Sequence, residues 1–146
     1  MSSSAALPAG TNYVRLQVTT SNPDQLQIGD VSITRTANAA PTVATAAAAS
    51  PATAYGTTVN LSALGADDFG ESNLIYSWAP VGAYPGDVTF SANGTNAAKN
   101  TTATYTVPGT YSMQVTIMDA SSRTVTSSTT VTYFAGATPT APSGLS

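Results

Sequence analysis

Cysteine and histidine are both missing from this 146-residue chain. Their absence removes disulfides, thiolate nucleophiles, the usual zinc ligands and the general base most often recruited near neutral pH. Charge is almost as scarce: charged residues make up 8% of the sequence, against about 25% in ordinary soluble domains. Only Arg15, Arg35, Lys99 and Arg123 are cationic, and the formal net charge is −3. Four scattered cations cannot displace the counterions of a phosphate backbone or hold an anionic bilayer surface, which sets aside nucleic-acid and membrane-surface binding. No run of about 18 apolar residues is present from which a spanning helix could be built. The opening Met1–Ala6 carries neither a charged n-region nor an apolar h-region, so it does not read as a secretory signal.

In their place stand Thr, Ser, Ala, Asn and Gly, with an apolar fraction of 42% that Ala helps to supply. That suffices for one modest core, and the length fits one domain with flanking pieces. A hydroxyl-rich, weakly charged surface is associated with secreted bacterial β-modules, so the expected setting is extracellular or on the cell surface.

Apolar residues recur with period two. Val14, Leu16 and Val18 alternate with Tyr13, Arg15 and Gln17, and a second strand runs from Gln25 to Thr34 with a bulge at Gly29-Asp30. With Asn22-Pro23-Asp24 as the turn, residues 7–34 read as a hairpin. The Ala run beyond it is bracketed by Pro41 and Pro51 and lacks helical period, so it reads as linker plus a first strand near Pro41 to Ala46. Further strands are marked by Val59 and Leu61, by Leu74, Tyr76 and Trp78, by Val88 and Phe90, by Thr101 to Tyr105, by Tyr111 to Ile117 and by Thr124 to Tyr133. Seven short strands with turn signals every 8–12 residues or so predict a sandwich. The expected fold is therefore all-β: an immunoglobulin-like Greek-key sandwich of about seven strands over residues 37–135, preceded by an N-terminal β-hairpin segment over 1–36 and followed by a linker tail over 136–146.

The stretch Tyr105-Thr106-Val107-Pro108-Gly109-Thr110-Tyr111-Ser112-Met113-Gln114-Val115-Thr116-Ile117-Met118-Asp119 resembles the penultimate strand of polycystic-kidney-disease (PKD)-like and related bacterial immunoglobulin-like domains. Leu74-Ile75-Tyr76-Ser77-Trp78 is similar to the Tyr-x-Trp of their third strand. The resemblance covers roughly residues 40–134 and implies a Trp in the sandwich centre and a tyrosine corner at Tyr111. Met113 would take the place of the antibody-domain cysteine, with Leu61 facing it. After Trp78, Ala79-Pro80-Val81-Gly82 departs from the acidic, glycine-rich stretch usual in PKD domains. Leu7 to Leu16 with Asp30 to Ile33 is similar to the closing strands of galactose-binding-like carbohydrate-binding modules, and Pro139 to Ser146 resembles the start of a fibronectin type III domain. Together these imply a window onto a multimodular secreted protein.

Candidate chemistry is sparse. The seven carboxylates are Asp24, Asp30, Asp67, Asp68, Glu71, Asp87 and Asp119, and no pair has the aromatic and Arg/His support of a glycosidase site. No catalytic residue and no cofactor site is expected. Asp67, Asp68 and Glu71, with Asp119 brought near by the fold, could supply oxygens to calcium, although Asp and Gly are equally what turns require. Tyr13, Tyr55 and Tyr84 lie outside the expected core and could stack on sugar rings of a polysaccharide. Asn60, Asn93 and Asn100 open N-glycosylation sequons.

A lone hairpin is marginal in water, so residues 7–34 must pack on the chain's own sandwich, on another domain, or on an identical subunit. The expected role is a non-catalytic structural or accessory module, a spacer or interaction domain beside neighbouring domains. Two alternatives stand: a filament or adhesin subunit assembling by strand addition from the hairpin, and a carbohydrate-binding module of a polysaccharide-degrading enzyme.

Overall fold

The computed structural model describes residues 37–136. The expected hairpin and tail lie outside the described residues. Within them are eight strands: β1 (Thr42–Ser50), β2 (Thr53–Ala54), β3 (Thr58–Ala66), β4 (Ile75–Val81), β5 (Val88–Phe90), β6 (Asn100–Tyr105), β7 (Gly109–Met118) and β8 (Thr124–Tyr133). They form two four-stranded sheets, ordered β1-β3-β6-β5 and β2-β8-β7-β4. Every pairing is antiparallel except β2 with β8, which is parallel. This is the immunoglobulin-like sandwich expected from the spacing. The first strand differs: it runs through the whole Ala stretch, then changes sheets at Ser50-Pro51-Ala52, so one expected strand becomes β1 and β2.

The core follows from alternation. On β7, Tyr111, Met113, Val115 and Ile117 are buried, while the residues between them are exposed or half-buried. Tyr76 and Trp78 of β4 and Val131 and Tyr133 of β8 flank them on the same sheet, and Val59, Leu61, Ala63, Ala103 and Tyr105 face them from the other. Leu61 and Met113 thus lie in one core cluster from opposite sheets. Burying a Leu- or Phe-sized side chain contributes about 1.5–3 kcal/mol, and here it does so without a covalent bridge. Trp78 is satisfied as well as buried: its indole Nε1 donates to the Ala98 carbonyl at 2.8 Å.

β1 shows why small residues suit this edge. Its Ala side chains let the strand lie close to β8 on the other sheet, and the Ala47 amide donates to Ser127 Oγ at 2.9 Å. At the end of β3, Gly65 is required by close approach. A Cβ there would stand 2.7 Å from Leu74 Cδ1 and 2.9 Å from Ile117 Cγ2. Phe90, one of the apolar residues that marked this strand, is only half-buried, because β5 is a three-residue strand at the sheet edge.

Three tyrosines pack at one end of the core. The Tyr105 and Tyr111 ring centroids are 4.7 Å apart, and those of Tyr105 and Tyr133 are 6.3 Å apart. Tyr111 forms the corner: its hydroxyl donates to the Val107 carbonyl at 2.6 Å. Gly109, two residues earlier, has φ +146° and stands where a Cβ would meet Pro85, so no larger residue fits that bend. Tyr105 differs, its hydroxyl being buried with no hydrogen-bond partner. The two hydroxyls should therefore respond oppositely to deletion. In denaturant titrations, Tyr111→Phe is expected to lose about 1 kcal/mol, and Tyr105→Phe to lose nothing or gain slightly, since an unmade bond costs only its desolvation.

Candidate functional site

The two ends of the sandwich carry most of the polar organisation. At the first end, β3 and β7 finish and β1, β4 and β8 begin. Asp119, 3% exposed, caps the turn between β7 and β8. Its Oδ1 accepts the Ser121 and Arg123 amides, each at 2.8 Å, and its Oδ2 accepts Asn38 Nδ2 at 2.9 Å. Asn38 Nδ2 also donates to Ser121 Oγ at 2.9 Å, and the Ala39 amide donates to Asp68 Oδ2 at 3.2 Å. Two carboxylates thus hold the segment that leads into β1. Asp67 Oδ1 accepts the Phe69 amide at 3.0 Å, in the Asx turn that the Asp/Gly-rich loop suggested. Its Oδ2 and Asn38 Oδ1 are buried without partners.

Glu71 belongs to a different cluster. It lies in a short 3-10 turn, Glu71–Asn73, and ion-pairs through Oε2 with Lys99 Nζ at 2.9 Å. Its Oε1 accepts the Tyr76 hydroxyl at 2.9 Å and Asn96 Nδ2 at 3.1 Å, while the Tyr76 oxygen accepts the Gly65 amide at 2.9 Å. The Lys99 bond holds the Glu71 carboxyl below its ordinary range. Burial, with the carboxylate close by, pushes the Tyr76 phenol up to about 12. The four acids considered together for calcium are therefore divided by the fold. Asp68 and Asp119 grip the incoming segment, Asp67 shapes a turn, and Glu71 faces Lys99 and Tyr76. Among the described residues no group of three or more acidic side chains is arranged around a metal position.

At the opposite end, β8 leaves beside β2. The Thr132 amide donates to Ala52 O and the Phe134 amide to Ala54 O, both at 2.8 Å. Just past this ladder, Tyr55 and Phe134 stack with centroids 5.6 Å apart and planes 24° apart. Tyr55 and Tyr84 are exposed, as expected for sugar-stacking candidates, but Tyr55 spends one ring face on Phe134. Tyr13 lies outside the described residues. The sequon asparagines are partly engaged: Asn60 Oδ1 accepts the Thr102 hydroxyl at 3.0 Å, and the Asn93 amide is bonded to the Trp78 backbone. A surface depression of about 320 Å³ on the outer face of the first sheet is lined by Ser50, Asn60, Ser62, Ser91, Asn100 and Thr102 among others. It offers hydroxyls and amides but no titratable group to act as acid, base or nucleophile.

The PKD domain family model matches residues 43–132 of the chain. The chain belongs to the PKD domain family. PKD domains are non-catalytic, immunoglobulin-like modules with structural or interaction roles, found mostly in extracellular proteins. No curated protein and no solved structure matches the chain. The PKD fold places Trp78 and Tyr111 as core residues, in agreement with the resemblance on which they were first picked out. Sequence reasoning missed Asn38 and Asn93. Asn38 carries no motif, and Asn93 was noted only as a sequon; their roles come from groups distant in sequence, the Asp119 and Ser121 side chains for Asn38 and the Trp78 backbone for Asn93.

Asp119→Ala in this PKD domain should lose about 1–2 kcal/mol in denaturant midpoint experiments, since it removes a buried carboxylate that accepts two part-buried amides and the Asn38 side chain. The exposed Asp68→Ala should lose far less. Alkaline titration gives a second expectation. Tyr76 and Tyr105 are both raised to about 12 by burial, so their contribution is complete below the ordinary value of 10. It is lost as pH rises through 12, because the unfolded chain ionises first. Thermal midpoints should fall over that window, and fall less steeply in Tyr105→Phe.

Proposed function

We propose that this PKD domain is a non-catalytic connector within a multimodular extracellular or surface protein, setting the separation between its two neighbours along the chain. The observation that supports this reading is the path of the chain. It comes in at the end where Asp68 and Asp119 hold Asn38 and Ala39, and it leaves at the other end, beside β2. Ten residues of β8 separate the two ends, about 30 Å at 3.4 Å per residue. Both ends are tied to the sandwich by hydrogen bonds rather than left to swing. The low charge and the hydroxyl-rich faces suit a surface that touches little.

The absence of cysteine makes the test direct. Spin labels on Ala40→Cys and Ala135→Cys in the full chain should give one narrow distance distribution near 30–40 Å, roughly the strand length plus label reach. A broad distribution, or one centred below about 20 Å, overturns the connector reading. Retention of the chain on an insoluble polysaccharide, abolished by Tyr55→Ala or Tyr84→Ala, would replace it with carbohydrate binding.

A further inference from the structure

Asn93-Gly94 is the only Asn-Gly step in the chain. Such a step is chemically unstable in a mobile peptide, because glycine puts no side chain in the way of its own nitrogen. The Gly94 nitrogen gives up its proton to hydroxide and bonds to Asn93 Cγ. The Cγ–Nδ2 bond breaks, ammonia leaves with a proton from water, and a five-membered imide remains. Water then opens the ring at either carbonyl, giving aspartate or, with the chain rerouted through Cγ, isoaspartate. The net change converts one amide and one water to one carboxylate and one ammonium ion.

In the folded domain this step is the clasp on the edge of β4. Tyr76 N donates to Thr95 O at 3.2 Å, and Tyr76 O accepts the Gly94 amide at 2.9 Å. Trp78, the next outward residue, is closed by Asn93: Oδ1 accepts Trp78 N at 2.7 Å, and Nδ2 donates to Trp78 O at 2.9 Å. Pro80, the outward residue after that, has no N–H. Every atom that the reaction uses is therefore committed. The attacking nitrogen keeps its hydrogen on the Tyr76 carbonyl and, at 3.1 Å, on Asn93 Oδ1. A nitrogen that donates to the amide oxygen is not presenting a lone pair to the amide carbon, which is the geometry that ring closure needs. The leaving nitrogen is bonded to Trp78 O, and with Oδ1 also held, the carboxamide cannot turn its face toward Gly94. Burial plays no part, since Asn93 and Gly94 are both exposed.

We infer that Asn93 is a modification site guarded by the edge it closes: it deamidates when the Asn93–Thr95 segment lifts off β4, and the product cannot close that edge again. Ring closure then runs at the rate of the free peptide multiplied by the fraction of time the segment is open. In the aspartate product an oxygen replaces Nδ2 and faces the Trp78 carbonyl with no hydrogen between them. In isoaspartate the backbone is one carbon longer, so the side chain and the Gly94 amide no longer match Trp78 and Tyr76 together. An opening that reacts is recorded permanently in the covalent structure. This goes beyond the connector role and does not depend on it.

Peptide mapping by mass spectrometry tests it on the full chain, held at mildly alkaline pH either native or unfolded in guanidinium chloride. Unfolded, Asn93 should convert first among the asparagines, and Asn93→Gln should abolish the signal. Native, conversion at Asn93 should be at least about tenfold slower, a measure of how rarely the segment opens. Asn93→Asp, made directly, reproduces one product. Its thermal midpoint should fall by roughly 4–8 °C, the effect of about one lost hydrogen bond in a domain of this size. Amide exchange at Tyr76 and Gly94 should quicken at least about tenfold as the edge loosens. Equal conversion rates in the native and unfolded chain, or no conversion at Asn93 in either, overturn the inference. Nor does it survive an Asn93→Asp domain whose stability and amide exchange match the original. The rate comparison uses the unaltered chain, so it decides even should that variant fail to fold.

Discussion

The burial of one face of β7 is the interaction on which the remainder rests. Tyr111, Met113, Val115 and Ile117 are all fully enclosed, between β4 and β8 on either side and the first sheet across the core. Antibody-like sandwiches add a disulfide at this position. Here Met113 replaces it, and a flexible thioether fills the space by contact alone. The consequence is a stability that depends on packing quality around one strand. Of the polar groups around it, Trp78 Nε1, Tyr111 and Thr101 find backbone partners, while the Tyr105 hydroxyl is left without one.

Once that face is buried, the domain has little charge with which to protect its surface, and it uses geometry instead. Asparagine side chains take the place of missing backbone. Asn93 completes the edge of β4 as a strand would, and Asn96 Nδ2 donates to the Glu71 and Leu74 carbonyls at the end of the 3-10 turn. Asn38 ties the segment ahead of β1 to the β7–β8 turn. These amides can donate and accept without pH dependence, which suits a protein with one ion pair, Lys99–Glu71, among its described residues.

The strands whose buried face alternates strictly were readable in advance. The alternation through Tyr76-x-Trp78 and Tyr111-x-Met113 located two strands, because that spacing expresses the pleat directly, while the corner at Tyr111 came from the family resemblance. Less legible was whatever depended on contacts distant in sequence. The crossing of β1 into β2 leaves no periodic signal, since β2 is two residues long. The acids of the Gly65–Ser72 loop looked like one cluster because they are adjacent in sequence. Their side chains separate because Glu71 sits in a 3-10 turn facing Lys99, which is 28 residues away. Ala79-Pro80-Val81-Gly82, a departure from the family pattern in sequence, acquires a reason in three dimensions: Pro80 stands where an outward amide would otherwise lie open.

The parallel pairing of β2 with β8 also bears on how the module carries tension. If its two ends are drawn apart, β2 is pulled toward the end where the chain comes in and β8 toward the end where it leaves. The bonds from Thr132 to Ala52 and from Phe134 to Ala54 lie across that direction, so they are loaded together in shear rather than opened one after another. Stretching along that line would have to break both bonds at once.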